Sequence, residues 1–205
     1  MRTRVKICGI TRLEDALAAV EAGADAVGFN LWPGSKRHVP LGRAVEIAAA
    51  LPPGVLRVAV FVQASPDQVR AAVGAIGLGA VQLHGDEDPA DYTEVGAPLW
   101  QVLRIGSSLP ISVSARAAEL LLDARVDGFG GSGRSFDWSL ARGARRFGVP
   151  FWVAGGLSPT NVGEAVRRAA PDGVDVASGV ESSPGVKDAG LVRAFVAAVR
   201  ATEER

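Results

Sequence analysis

Strand-like apolar runs and helix-like periodic runs alternate eight times along this chain, a pattern that few architectures accept. The strands read as Val5 to Cys8, Ala26 to Leu31, Leu56 to Val62, Ala80 to His84, Leu99 to Arg104, Glu119 to Asp123, Pro150 to Ala154 and Val174 to Ala177. Helical stretches follow them at Arg12 to Gly23, Leu41 to Leu51, Pro66 to Ile76, Pro89 to Val95, Ser112 to Ala118, Asp137 to Phe147, Pro159 to Ala170 and Asp188 to Arg200. In the first of these, Leu13, Ala16, Leu17 and Val20 recur at helical spacing. Ser65-Pro66, Asp88-Pro89 and Ser158-Pro159 each place a capping side chain before a proline suited to a first helical turn. Eight strand-helix units in 205 residues match the lower end of the length of a parallel barrel closed by its eighth strand. The expectation is an α/β fold, a single-domain (βα)8 TIM barrel spanning 1–205. An open doubly wound sheet competes, but the turn after its first strand should read Gly-x-Gly-x-x-Gly, whereas here it reads Cys8-Gly9-Ile10-Thr11.

Composition narrows the function classes. With 48% hydrophobic residues the chain can bury one sizeable core. Its 22 basic and 22 acidic residues cancel, and no basic stripe is interleaved with aromatics, so nucleic acid is not an expected partner. Charged residues, glycine or proline interrupt every apolar run before it reaches membrane-spanning length, so no membrane is expected either. The single cysteine forms no internal disulfide, and Met1-Arg2-Thr3-Arg4 leads into a strand rather than a signal-peptide apolar region. A soluble cytoplasmic protein, monomer or homodimer, is the simplest expectation.

In a barrel, function belongs at the C-terminal ends of the strands. Those ends carry Cys8, Asn30 with the loop to Arg37, Gln82 and His84, Arg104, Asp123, Gly155-Gly156 and Ser178-Gly179. With only His38 and His84 available, a histidine-built metal site is not expected, and cofactor-free acid-base chemistry is. The turns Ala154-Gly155-Gly156-Leu157 and Ala177-Ser178-Gly179-Val180 follow the seventh and eighth strands, where such barrels often close backbone N–H groups on a phosphate. The plainer alternative is that these glycines only make tight turns.

The ordered set Lys6-Ile7-Cys8-Gly9-Ile10-Thr11, Gly23-Ala24-Asp25-Ala26-Val27-Gly28-Phe29, Ser35-Lys36-Arg37, Val81-Gln82-Leu83-His84-Gly85, Leu121-Leu122-Asp123, Gly130-Gly131-Ser132-Gly133, Phe136-Asp137-Trp138, Gly155-Gly156-Leu157 and Ser178-Gly179-Val180-Glu181 resembles the phosphoribosylanthranilate isomerase family over nearly the whole chain. The resemblance implies a cofactor-free barrel of tryptophan biosynthesis. Such a barrel converts N-(5-phosphoribosyl)anthranilate to 1-(2-carboxyphenylamino)-1-deoxyribulose 5-phosphate by an Amadori rearrangement. Two departures are visible: Asn30 stands where relatives carry an apolar residue, and Ala177 where they carry the first of two serines.

By the same resemblance Cys8 is the general base, Asp123 the general acid and Arg37 the holder of the anthranilate carboxylate. A general acid must hold its proton near neutrality, which burial beside Leu120 to Leu122 favours, while Cys8 must be pushed toward thiolate. Lys6 shares the inward face with Cys8 one strand period deeper and is a candidate for that push. Barrel closure brings Asp175 of the eighth strand beside Lys6. It serves either as an ion-pair partner alone or also as a group acting on the substrate's anilino nitrogen. Gln82 and His84 share the inward face of the fourth strand and are candidate pocket residues, with a hydrogen-bonded core histidine as the bland reading. Gly128 to Ser135 reads as a mobile lid or as a mere connector. The alternatives are a histidine-pathway aminoaldose isomerase, which uses two aspartates where this chain has Cys8, and a non-catalytic barrel that binds a phosphorylated metabolite.

Overall fold

The computed structural model describes residues 2–124 and 136–203. The loop expected at 128–135 lies outside the described residues. Eight parallel strands, β1 (Arg4–Cys8), β2 (Ala26–Asn30), β3 (Leu56–Phe61), β4 (Ala80–Leu83), β5 (Leu99–Ile105), β6 (Glu119–Ala124), β7 (Phe151–Val153) and β8 (Gly173–Val176), close into a barrel in chain order. Closure is made by β1 against β8, where Lys6 lies opposite Asp175. The (βα)8 reading therefore holds, and each strand end falls within one residue of its expected place.

Among the described residues six α-helices accompany the strands: α1 (Leu13–Glu21), α2 (Leu41–Ala49), α3 (Pro66–Ile76), α4 (Trp138–Ala141), α5 (Val162–Ala169) and α6 (Ala189–Arg200). Helix α3 starts as its sequence implies. Ser65 Oγ accepts from the Gln68 N–H, Gln68 Oε1 accepts from the Ser65 N–H, and Pro66 opens the first turn. Among the described residues, no helix is long and apolar enough to cross a membrane.

Two apolar layers hold the barrel. Outward-facing strand residues such as Val5, Ile7, Phe29, Leu120 and Phe151 are fully buried beneath the helices. The interior is filled by Trp100 and Trp152, whose rings sit 4.8 Å apart, with the small Ala26 and Ala80 opposite them. That alternation of large and small side chains fills the barrel's N-terminal half. Arg4 caps the stack with its guanidinium 4.6 Å from the Trp152 ring centroid while pairing with Glu119.

Four expected helices differ: the one at 137–147 is α only over Trp138–Ala141 and continues as a 3₁₀ helix over Arg142–Phe147. No helix forms at 112–118, where Ser114 bonds across to β5 and to its own turn instead of letting the chain coil. Ser114 N–H donates to Gln101 Oε1, and Ser114 Oγ accepts from the Arg116 N–H, while Ile111 is almost fully exposed and offers no buried face. The segment after β4 makes only a 3₁₀ turn at Pro89–Tyr92, capped by Asp88. Helix α5 begins at Val162, not Pro159: residues 159–161 form a turn closed on the Ser158 carbonyl, and the backbone at Asn161, with φ −124°, is not helical. A further element, the hairpin β9 (Glu181–Ser183) and β10 (Val186–Lys187), follows the eighth strand.

Candidate active site

At the C-terminal mouth of the barrel a cavity of about 330 Å³ opens, within the size range of small-molecule sites. Cys8, Gln82, His84, Asp123, Asp175, Arg37, Gly155, Gly156 and Ser178 all line it. Gly179 does not. A Cβ there would fall 1.9 Å from the Leu157 carbonyl oxygen, so glycine at 179 permits a close crossing of two backbones beside the cavity-lining Leu157 and Ser178. Arg104 is also absent from the lining and donates to the His84 carbonyl.

Strand parity explains the floor. Lys6 and Cys8 both point inward from β1, and glycine at position 28 on the neighbouring strand makes room for them. A Cβ on Gly28 would meet Cys8 Sγ at 2.7 Å and Lys6 Cε at 3.1 Å. Lys6 is completely buried, with Nζ 3.0 Å from Asp175 Oδ1 and donating to Gln82 Oε1 at 2.9 Å. Burial works against the charge of Lys6, but Asp175 and Cys8 outweigh it and hold the ammonium above the usual lysine range. Burial alone would drive Asp175 toward its acid form. Lys6 opposes that rise without cancelling it, and its ammonium meets both Asp175 and the Gln82 carbonyl. Asp175 Oδ1, although close to Lys6, receives no aligned hydrogen bond.

Cys8 is partly exposed at the cavity floor. Burial pushes its thiol up, with Lys6 pulling the other way and Asp175 adding to the rise. The expected net push toward thiolate is therefore not what this environment produces, because burial outweighs Lys6 and the anionic Asp175 adds to it. Across the mouth, Asp123 ends β6, with Oδ1 accepting from the Ala124 N–H and Oδ2 lying 3.5 Å from His84 Nε2. Gly155, at φ +80°, turns the chain tightly past this carboxylate, and a Cβ on it would come within 2.6 Å of Asp123 Oδ1. His84 lines the cavity and is also hydrogen-bonded, its Nδ1 2.8 Å from Gln82 Nε2.

Arg37 reaches the cavity from the loop after β2, where the Asn30 carboxamide accepts from the Trp32 N–H and shapes the turn. Asn30 thus acts as a loop cap in place of an apolar side chain. The Arg37 fork is gripped by Glu181, whose oxygens accept from Nε and Nη2. These hydrogen bonds raise Arg37 above its ordinary value. Glu181 also accepts from Lys187 Nζ and the Gly185 N–H, and the two cations hold its carboxyl below the usual range despite burial. Burial pushes Lys187 down, with Glu181 resisting. Lys187 and the gripping role of Glu181 were missed in the sequence. The Ser183-Pro184-Gly185 turn was the available sign that a hairpin brings them here. Among the described residues no cluster of three or more His, Cys, Asp or Glu side chains could hold a metal ion.

A side-chain acid, a thiol, a fixed arginine and two glycine-bearing strand ends around one small cavity suit proton transfers on a compact anion. Comparison with known proteins agrees. Residues 5–198 match the family described as N-(5'phosphoribosyl)anthranilate (PRA) isomerase. The N-(5'-phosphoribosyl)anthranilate isomerase of Myxococcus xanthus is 51% identical over 98% of this chain and 97% of that one. The crystal structure of phosphoribosyl anthranilate isomerase from Thermus thermophilus superposes with a TM-score of 0.89 at 38% identity, covering 97% of this chain and 99% of that one. Another phosphoribosyl anthranilate isomerase, solved in complex with reduced 1-(o-carboxyphenylamino)-1-deoxyribulose 5-phosphate, gives 0.83 at 36% identity with the same coverage. The chain belongs to the phosphoribosylanthranilate isomerase family.

Proposed function

We propose a division of labour for the isomerase reaction in which Asp123 is the general acid and Cys8 the general base. Asp123 gives its proton to the ribose ring oxygen, the C1–O bond opens, and the anilino nitrogen's electron pair forms the imine. The Cys8 thiolate then takes the C2 proton to give an enolamine, whose hydroxyl proton moves to C1 to leave the ketose. Lys6 and Lys187 favour the thiolate against burial and Asp175. The observation that carries this reading is that Cys8 and Asp123 line one cavity from strands three places apart around the barrel, β1 and β6.

The remaining wall fits the substrate, N-(5-phosphoribosyl)anthranilate. Arg37 spends its Nε/Nη2 edge on Glu181 and has further donors to meet the anthranilate carboxylate. Gly155, Gly156 and Ser178 take the phosphate at the ends of β7 and β8. Ala177 removes one hydroxyl from that end while leaving the backbone donors. Asp175 and Lys6 set the charge of the floor.

The test follows the fluorescence of phosphoribosylanthranilate generated in situ from anthranilate and phosphoribosyl pyrophosphate. Fast decay with the wild type and roughly 10²-fold or slower decay with Cys8→Ala and Asp123→Asn is expected. Wild-type rates in either folded variant would remove that residue from its role.

A further inference from the structure

Four side chains form an unbroken line across the cavity floor: Asp175, Lys6, Gln82 and His84, ending on Asp123. The chemistry of the two ends dictates the protonation pattern between them. An ammonium can only donate, so the Gln82 atom 2.9 Å from Lys6 Nζ is the carbonyl oxygen. The carboxamide's other end is then an NH₂ group, which donates to His84 Nδ1 at 2.8 Å. A ring nitrogen that accepts carries no proton, so the neutral imidazole holds its proton on Nε2, the atom 3.5 Å from Asp123 Oδ2.

We propose that Gln82 is a positioning residue which, oriented by Lys6, presents His84 to Asp123 as the neutral imidazole protonated on Nε2. The inference rests on the reading of Asp123 as the general acid. The opposite carboxamide orientation would turn His84 Nε2 into an acceptor, and Asp123 would lose its proton to the imidazole instead of to the ring oxygen. With the orientation seen, Nε2–H waits as a donor for the carboxylate that Asp123 becomes once the ring has opened. The 3.5 Å contact of the resting enzyme shortens as that charge develops, as catalytic hydrogen bonds do on passing to the transition state. His84 thus acts only where the charge appears, which affects turnover rather than binding.

The experiment is ¹⁵N spectroscopy of the histidine rings at pH 8, where a free imidazole is neutral. The chain has only His38 and His84, and His38→Gln assigns the signals. His84 in the wild type should show a single species, protonated at Nε2 and hydrogen-bonded at Nδ1. In Gln82→Glu, whose carboxylate can only accept, His84 should move to a form protonated at Nδ1. Gln82→Met should lower kcat roughly tenfold or more with KM nearly unchanged. A wild-type His84 protonated on Nδ1, or averaging between tautomers as a free side chain does, would overturn the proposal without any variant having to fold. A Gln82→Met enzyme with wild-type kcat would overturn its catalytic purpose. Asp123→Asn separates the two readings. If it is inactive while His84 shows the wrong tautomer, positioning alone is overturned; if it is active, the acid reading goes and the purpose of the line with it.

Discussion

Arg37 and Glu181 meet edge to edge, with Nε 2.8 Å from Oε1 and Nη2 2.8 Å from Oε2. The pair joins the loop after the second strand to the hairpin after the eighth, and Lys187 shares the same carboxylate at 2.8 Å. A side chain as flexible as arginine otherwise loses rotamer freedom on binding its ligand, so gripping one edge beforehand leaves the other presented to the substrate. Glu181→Gln should raise KM by roughly tenfold, about 1.4 kcal/mol, with a smaller change in kcat. Steady-state kinetics decide it: an unchanged KM would show that the grip does not orient Arg37.

The same carboxylate gives a stability signature. Its folded pKa lies below the ordinary glutamate value of 4.5, so its contribution is full above that pH and is lost as pH falls through the folded value. Urea midpoints of wild type and Glu181→Gln should therefore differ most near neutrality and converge in acid. A gap independent of pH would assign the loss to packing.

Cys8 gives the opposite signature on the alkaline side. Its folded pKa is raised above 9.0, so the unfolded thiol ionises first and the stability difference is lost as pH rises beyond that point. For catalysis the thiolate is the active form, so kcat/KM should keep climbing into the alkaline range, and alkylation of Cys8 by iodoacetamide should climb with it. A rate that levels off near neutrality, with fast alkylation there, would show that substrate-free geometry understates the pull of Lys6.

These contacts divide by what a sequence can carry. Barrel order, the inward parity of Lys6 and Cys8, and the opposition of Lys6 and Asp175 follow from period-two strands closed in chain order, so they were legible. Motif resemblance added Arg37, because nothing in the spacing distinguishes it from a solvated loop arginine. Its Glu181 partner lies 144 residues away on a hairpin of serine, proline and glycine, and no local periodicity encodes such a contact. The close backbone crossing at Gly179 was hidden for a related reason: glycines in a turn look alike until the neighbouring backbone is in view. The fifth helix was lost to Ser114, whose local hydrogen bonds compete with coiling.

The buried pair on the floor can be taken apart in two ways. Lys6→Met leaves Asp175 without its counter-charge in the barrel and should destabilise by about 3–5 kcal/mol. Adding Asp175→Leu removes the stranded charge and should recover most of that stability without restoring turnover. Chemical denaturation of both variants tests this; a double variant no more stable than Lys6→Met would mean that Asp175 is not left as an uncompensated charge when Lys6 is removed.

Gly28→Ala is the smallest change that separates space for the thiol from the thiol itself. The backbone of β2 accepts alanine without strain, since Gly28 is not among the positive-φ glycines. The added methyl, however, would stand 2.7 Å from Cys8 Sγ and 3.1 Å from the Cys8 Cα, and the latter is backbone that cannot swing aside. Overpacking of this kind costs about 1–3 kcal/mol of stability, and the folded enzyme that remains must have moved its thiol. A sulfur displaced by even a fraction of an ångström no longer meets the C2 proton in line, so kcat should fall by roughly 10²-fold while phosphate affinity, set at β7 and β8, stays near wild type. If kcat held while stability fell, the thiol would not be the group whose position limits the reaction, and Cys8 would have to be read as a packed neighbour of Lys6.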